Sequence, residues 1–183
     1  MWHRRAKHCP LCGSGLARGS IEGRERARCE SCSFVLYENP ACASAGVVVD
    51  ERGRVLLVRR ALEPFRGHWA LPAGYQEVDE EPARTAAREV LEESGIEVEV
   101  VALLDLIFVP AQPSKPANLA VYLCRPVGGG LRRGDDTLDA AWFEPENLPA
   151  DIGFDNGPRI RAWLRERLRA GSESSDRPRG SSG

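Results

Sequence analysis

Gly74-Tyr75-Gln76-Glu77-Val78-Asp79-Glu80, running on to Arg88-Glu89-Val90-Leu91-Glu92-Glu93-Ser94-Gly95-Ile96, is the stretch around which the chain is organised. Pro82 suits the first turn of a helix, where its missing N–H is not needed. The residues from there to Ser94 favour helix, and Gly95 is a natural stop. Ala83, Ala86, Ala87 and Val90 fall at i, i+3, i+4 and i+7, so one face packs inward. Glu89, Glu92 and Glu93 share a flank beside that face, and three like charges on one patch repel. A hard divalent cation bound through oxygens would remove the repulsion, and Mg²⁺ is the usual choice when phosphates complete its shell. A solvated acidic face satisfies the same spacing.

The full pattern goes beyond spacing. Glycine, five residues, Glu, seven residues, Arg-Glu, an aliphatic, any residue, Glu-Glu, any residue, Gly and an aliphatic are all present between Gly74 and Ile96. This is the pattern of the Nudix box, and the chain resembles a Nudix hydrolase. The resemblance implies a loop-helix-loop that binds a divalent metal, Mg²⁺ or Mn²⁺, and cleaves a nucleoside diphosphate linked to another group. It implies Glu89, Glu92 and Glu93 as metal ligands, with the Gly74 carbonyl beside them. It also pairs Arg88 with Glu80 to orient the loop. Acidic residues in a later loop serve many relatives as an extra ligand or general base, which makes Asp135, Asp136 and Asp139 candidates beside a plain acidic turn.

Composition sets the bounds. The 183 residues are 42% hydrophobic and 28% charged, with net charge −2. These values suit a soluble globular protein, and nothing global points to nucleic acid or an anionic membrane. No apolar run reaches the length of a membrane span, and no secretory leader is visible, so a cytoplasmic protein is expected.

Cys9-Pro10-Leu11-Cys12 and Cys29-Glu30-Ser31-Cys32 are separated by sixteen residues. In an intracellular chain that is the spacing of a tetrahedral zinc site, and residues 1–40 read as a zinc ribbon. Such a segment cannot bury enough apolar surface to fold alone, so a structural Zn²⁺ would supply the missing stability. Its seven Arg/Lys and four Glu give +3, reduced to about +1 by four thiolates and one Zn²⁺. That is too weak for a footprint on a phosphate backbone, so nucleic acid is not expected as a partner. Cys42 and Cys124 read as small buried hydrophobes.

Gly46–Asp50 and Val55–Arg60 read as paired strands across a turn at Glu51–Gly53, with Arg59 and Arg60 candidates to meet phosphate at their end. Pro64, Gly67 and Pro72 make an irregular approach to the box, along which Trp69 should pack under the loop and Phe65 could stack on a base. Glu97–Val101 alternates as a strand and Leu103–Val109 continues it. A proline-rich loop follows at Pro110–Pro116, then a strand at Leu119–Cys124 broken by Gly128-Gly129-Gly130, and another at Ala140–Phe143. Asn156 and Pro158 open a last helix with Ile160, Trp163, Leu164 and Leu168 on one stripe. Packed opposite the box helix, it completes an α/β/α sandwich with a mixed sheet over residues 41–170. Residues 171–183 have nothing to bury and read as a disordered tail.

Zinc ribbon plus box is the layout of NADH pyrophosphatases, but their Ser-Gln-Pro-Trp-Pro-Phe-Pro signature is replaced here by Ala111-Gln112-Pro113 without aromatics. Leu71-Pro72-Ala73-Gly74-Tyr75 and Asp151-Ile152-Gly153-Phe154 look more like the ribbon-bearing ADP-ribose and FAD pyrophosphatases. ADP-ribose is the first expectation and FAD the second, with NADH or a nucleoside triphosphate as alternatives. A nucleotide sensor using the ribbon to meet a partner or nucleic acid is the reading from another class, and the intact glutamates argue against it. The resemblance also allows a homodimer.

Overall fold

A computed structural model of the chain describes residues 5–110, 115–155 and 157–165. They fall into two compact units, one of residues 1–41 with 110–117, the other of 42–109 with 118–183.

In the first unit, strands β1 (Leu16–Ile21) and β2 (Arg24–Cys29) form an antiparallel hairpin. Glu22 and Gly23 turn it with positive φ of 53° and 73°, the backbone twist that lets a two-residue loop join antiparallel strands. The short β3 (Val35–Leu36) pairs with β2 at Ala27 and Arg28. The Arg26 guanidinium carbon lies 4.5 Å from the centre of the Tyr37 ring. The apolar content of this unit is small, and Cys9, Ala27, Cys29 and Ala117 are its buried residues among those described.

The second unit contains β4 (Ala41–Val48), β5 (Val55–Arg60), β6 (Trp69–Ala70), β7 (Ala73–Tyr75), helix α1 (Pro82–Ser94), β8 (Ile96–Val109), β9 (Ala117–Gly129) and β10 (Thr137–Phe143). A second helix, α2, spans 157–165. The strands make two ladders, ordered β7-β4-β9-β8 and β10-β5-β6. Alternation along β4 and β5 sorts the core. Val47, Val49 and Leu57 join Ile160 and Leu164 of α2 in one cluster. Val48 and Leu56 point the other way and join Val90 of α1. The two helices therefore cover opposite faces of the strands, the α/β layering expected from sequence.

Several local expectations are corrected. β4 and β5 are not a hairpin: they lie in different ladders and touch through an isolated bridge, Val49 to Val55. Val55, Leu56, Leu57 and Val58 are all buried, so β5 is a central strand that takes β10 on one edge and β6 on the other. The Asp50 carboxylate accepts the N–H of Arg52 and of Arg54, at 3.0 and 2.8 Å, and turns the chain between ladders. β9 does not stop at Gly128 but continues to Gly129, and β10 begins three residues earlier than expected, at Thr137. Cys124 is buried, whereas Cys42 is exposed because it precedes the part of β4 that enters the core. Asn156, Leu168, residues 111–114 of the proline-rich loop and the tail at 171–183 lie outside the described residues. Among the described residues no helix is long and apolar enough to cross a membrane.

Gly46 marks the closest approach of helix to strand. A Cβ there would sit 2.5 Å from Val90 Cγ2. Gly46→Ala is expected to lift α1 from the ladder and destabilise the protein by about 1–3 kcal/mol. Val90→Ala in that background should restore part of the loss, as read by chemical denaturation of the single and double variants. Strict additivity of the two effects would contradict the contact.

Candidate active site

Helix α1 positions the site. Pro82 opens it, and Gly95 ends it in the left-handed conformation at φ 73°, its N–H donating to the Leu91 carbonyl. The segment before β10 then closes over the C-terminal turn. Gly130, Arg132 and Gly134 donate backbone N–H groups to the carbonyls of Gly95, Ser94 and Glu93, at 3.1, 2.9 and 3.1 Å. Carbonyls otherwise orphaned at a helix end are satisfied this way. The acidic loop is thereby fixed beside the last turn of α1, with a Cβ at Gly134 excluded by the Glu92 carbonyl.

Arg88 gathers the carboxylates. Its Nε and Nη2 donate to the two oxygens of Glu80 at 2.9 and 3.0 Å, a bidentate pair. Its Nη1 donates to Glu89 Oε1 at 2.8 Å and Glu92 Oε2 at 2.9 Å. Nη2 also reaches the Tyr75 carbonyl at 3.1 Å. The repulsion expected among the box glutamates is thus relieved from within the helix, because Arg88 serves three carboxylates rather than Glu80 alone. Charge-assisted, planar contacts of this kind are what a guanidinium makes and an ammonium cannot.

Glu80 is held further by the Thr85 hydroxyl, which donates to Oε2 at 2.8 Å, and by the Gln76 side-chain amide, which donates to its backbone carbonyl. Neither residue was identified from sequence. Thr85 precedes Arg88 by one helical step on the same face, and that i,i+3 relation was the signal available. The Arg88 hydrogen bonds, with the Thr85 hydroxyl, pull the Glu80 carboxyl down to about 2.

Glu93 stands apart from the clamp and accepts the Ala73 N–H at 3.1 Å. Burial, with the Glu89 charge adding to it, pushes its carboxyl up to about 8. Burial also raises Glu89. Gly74 pairs with Ser44 across β7 and β4, and a Cβ on it would overlap the Glu89 carboxylate. The glycine is required by close approach rather than by an unusual φ. Asp135, Asp136 and Asp139 are all exposed. Of these, Asp136 is the one whose charge bears on Glu93. Arg60 is within electrostatic reach of Glu93 too, while Arg59 turns to the Gly67 carbonyl at 2.7 Å. Trp69 packs edge-on against Phe143 with centroids 4.8 Å apart, against the core cluster.

The oxygens suit a hard cation in kind, and Glu89 and Glu93 in burial. Although Arg88 draws Glu80, Glu89 and Glu92 together, no three carboxylates converge as ligands of one ion: among the described residues, Cys9, Cys12, Cys29 and Cys32 form the one cluster of three or more metal-ligating side chains, their sulfurs all within 4.8 Å of one another. Cys12 Sγ lies 3.4 Å from Cys29 and 3.7 Å from Cys32, and Cys9 lies 3.7 Å from Cys32. Four sulfurs at about 2.3 Å from a tetrahedral zinc are about 3.8 Å apart, so the cluster could form a zinc site with little adjustment. The N–H groups of Leu11 and Ser31 approach Cys9 and Cys29 sulfur at 3.4 and 3.3 Å, support of the kind that thiolate ligands receive from an outer shell.

The NUDIX domain family matches residues 40–164. The chain belongs to the Nudix family. Over 133 residues this Nudix hydrolase is 33% identical to the ADP-ribose pyrophosphatase of Methanocaldococcus jannaschii, covering 72% of this chain and 78% of that one. It is 28% identical over 151 residues to an NAD-capped RNA hydrolase of Pectobacterium carotovorum, covering 81% of this chain but 55% of the relative. A crystal structure of a NUDIX hydrolase from Nitrosomonas europaea superposes with TM-score 0.81 at 28% identity, covering 90% of this chain and 93% of that chain.

Glu93 and Glu80 make opposite demands on pH. Glu93, raised to about 8 in the folded state, binds a proton that the unfolded chain releases near 4.3. Metal-free stability should therefore fall as pH rises from about 5 to 8. Glu80, lowered to about 2, contributes stability above the unfolded value and loses it as pH falls towards 2. Melting curves in chelator should show the loss between pH 5 and 8, and Glu93→Gln should flatten it. A wild-type curve already flat over that range would contradict the burial of Glu93.

Proposed function

We propose that the chain hydrolyses the diphosphate linkage of a nucleoside diphosphate derivative, with ADP-ribose the first substrate and FAD the second. The observation that carries this reading is the Arg88-centred carboxylate cluster in a chain whose archaeal relative, matched over 78% of its length, is named ADP-ribose pyrophosphatase. Glu89, Glu92 and Glu93, with the Gly74 carbonyl, would hold Mg²⁺ or Mn²⁺. A divalent ion there supplies charge neutralisation for the phosphates and a lower pKa for water.

The chain's own residues do the rest. Glu80, ionised at every working pH, keeps Arg88 anchored when Glu89 and Glu92 turn to other partners. One of the three box glutamates, or a loop carboxylate such as Asp136, whose charge bears on Glu93, takes the proton of the attacking water. The Ala73 N–H holds the Glu93 carboxylate in place. Cys9, Cys12, Cys29 and Cys32 would hold a structural Zn²⁺ that replaces an apolar core the small unit lacks.

NADH is the second reading, favoured by the similarity to an NAD-capped RNA hydrolase across 81% of this chain. The Ala111-Gln112-Pro113 segment, without the aromatics of NADH pyrophosphatases, ranks it below ADP-ribose.

The decisive comparison is kcat/KM across ADP-ribose, FAD, NADH, a dinucleoside polyphosphate and the common nucleoside triphosphates, with Mg²⁺ and then Mn²⁺. ADP-ribose or FAD should lead, releasing AMP with ribose phosphate or FMN. NADH ahead of both by tenfold, about 1.4 kcal/mol of transition-state preference, would reverse the ranking. Binding of ADP-ribose with no cleavage of any compound would make the protein a sensor instead. Glu92→Gln and Glu93→Gln should each cut turnover by orders of magnitude while the fold survives. Near wild-type turnover at saturating Mg²⁺ would reject the ligand assignment.

Metal analysis of the purified protein should find one zinc per chain, lost in Cys29→Ser together with protease resistance of the N-terminal unit. Unchanged metal content in that variant would contradict the four-cysteine site.

A further inference from the structure

Two phenylalanines outside the box occupy a backbone conformation that side chains of their kind avoid. Phe65 has φ 64° and Phe154 has φ 60°. Strain of this sort persists only where the surroundings impose it, and it gathers at sites that hold ligands. The rings meet at 4.7 Å between centroids, tilted by 58°, yet the residues remain 39% and 36% exposed. The pair is therefore strained into place beside solvent, where a flat ligand can reach it.

The supports are rigid. Gly153 packs closely on Phe65: a Cβ there would come within 3.1 Å of Phe65 Cβ, so Phe65 would have to give by a few tenths of an ångström. His68 N–H donates to the Phe65 carbonyl at 3.0 Å, and the His68 ring lies edge-on to Phe65 at 5.7 Å. Trp69 N–H donates to the Asp151 carbonyl at 3.0 Å, which ties the approach segment to the turn that carries Phe154.

Arg60 links this pair to the carboxylates. Its guanidinium carbon is 5.1 Å from the centre of the Phe154 ring, and its Nε donates to the Pro64 carbonyl at 2.8 Å. Glu93 is foremost among the charges that reach it, and Arg60 in turn bears on Glu93. Arg60 therefore borders the Phe154 ring and is within electrostatic reach of Glu93 in the proposed site of diphosphate cleavage.

We propose that Phe65 and Phe154 form a stacking platform for the planar base of the nucleotide substrate, with Arg60 placed to meet its phosphates. The inference rests on the nucleoside diphosphate reading above and says which part of that substrate is recognised, and where. Stacking on an aryl face tolerates any base, whereas a guanidinium pairs with phosphate oxygens, and a nucleotide carries both groups a short distance apart. The ribose phosphate half of ADP-ribose has no planar ring, so the adenosine half is the one that fits.

Calorimetric binding of AMP and of inorganic pyrophosphate in Mg²⁺ separates base from phosphate recognition without relying on turnover. Phe65→Leu and Phe154→Leu, which keep apolar bulk but lose the aryl face, should each weaken AMP about tenfold and leave pyrophosphate unchanged. Phe154→Tyr, which keeps the aryl face, should bind AMP as the wild type does; it and the second position carry the test if one leucine variant fails to fold. AMP affinity within twofold of wild type in both leucine variants would reduce the pair to a packing latch and overturn the proposal. An equal loss for AMP and pyrophosphate would do the same. A wild-type protein that binds pyrophosphate but not AMP would remove the platform and leave the diphosphate chemistry standing. One that binds neither would overturn the nucleotide reading and the platform with it.

Discussion

The guanidinium of Arg88 is the constraint on which the active-site half of the molecule depends. It meets Glu80 through two parallel hydrogen bonds, Glu89 and Glu92 through a third nitrogen, and the Tyr75 carbonyl besides. Five acceptors around one cation fix the loop before α1 against the helix itself. Without that cation Glu80, Glu89 and Glu92 would stand together with no partner for their charge, and the loop would lose its tie to the helix. The helix in turn is fixed from both sides. Val90 is buried against the strands where Gly46 gives it room, and the segment 130–137 satisfies the carbonyls at its far end.

This division of labour separates two kinds of carboxylate. Glu80 is kept ionised and bound, which is a structural state. Glu93 is kept buried, with its carboxyl raised. The two differ because Glu80, just before the helix, meets a fixed cation, while Glu93, in its last turn, meets a backbone N–H in a buried place among the charges of Glu89, Arg60 and Asp136. Glu89 and Glu92 lie between these extremes. They are paired with Arg88 in the protein alone, and they are the side chains with most to gain when a divalent ion offers a stronger partner. Relatives matched over most of this chain include proteins named for ADP-ribose and for NAD-capped RNA, so the box chemistry is shared while the recognising surface must differ.

Much of this was legible in the residues. Pro82 and Gly95 bounded the helix because their backbone constraints are local, and the paired cysteine spacing located a compact sulfur cluster because tetrahedral geometry demands it. The apolar stripes of the box helix and of the last helix pointed to helices on opposite faces, and the sorting of Val47 and Leu57 from Val48 and Leu56 into two clusters agrees. What sequence missed was long-range. β4 and β5 are neighbours along the chain and look like a hairpin, but β5 is apolar on both faces and so draws partners from β6 and β10 instead. The reach of Arg88 to three carboxylates was likewise hidden, since the motif names the residues and not their hydrogen bonds. The strained φ of Phe65 and Phe154 leaves no mark in composition or periodicity.

The claim that one arginine holds the box glutamates, and yields two of them to a metal, is tested most directly by side-chain NMR of ¹⁵N-arginine-labelled protein during a Mg²⁺ titration. The Arg88 Nε–H, bonded to Glu80, should stay protected and barely shift from metal-free to saturated protein. The Nη1 protons, bonded to Glu89 and Glu92, should lose protection over the same titration. An Nε–H signal that exchanges rapidly in metal-free protein, or Nη1 signals unmoved by Mg²⁺ at concentrations that support hydrolysis, would contradict the account.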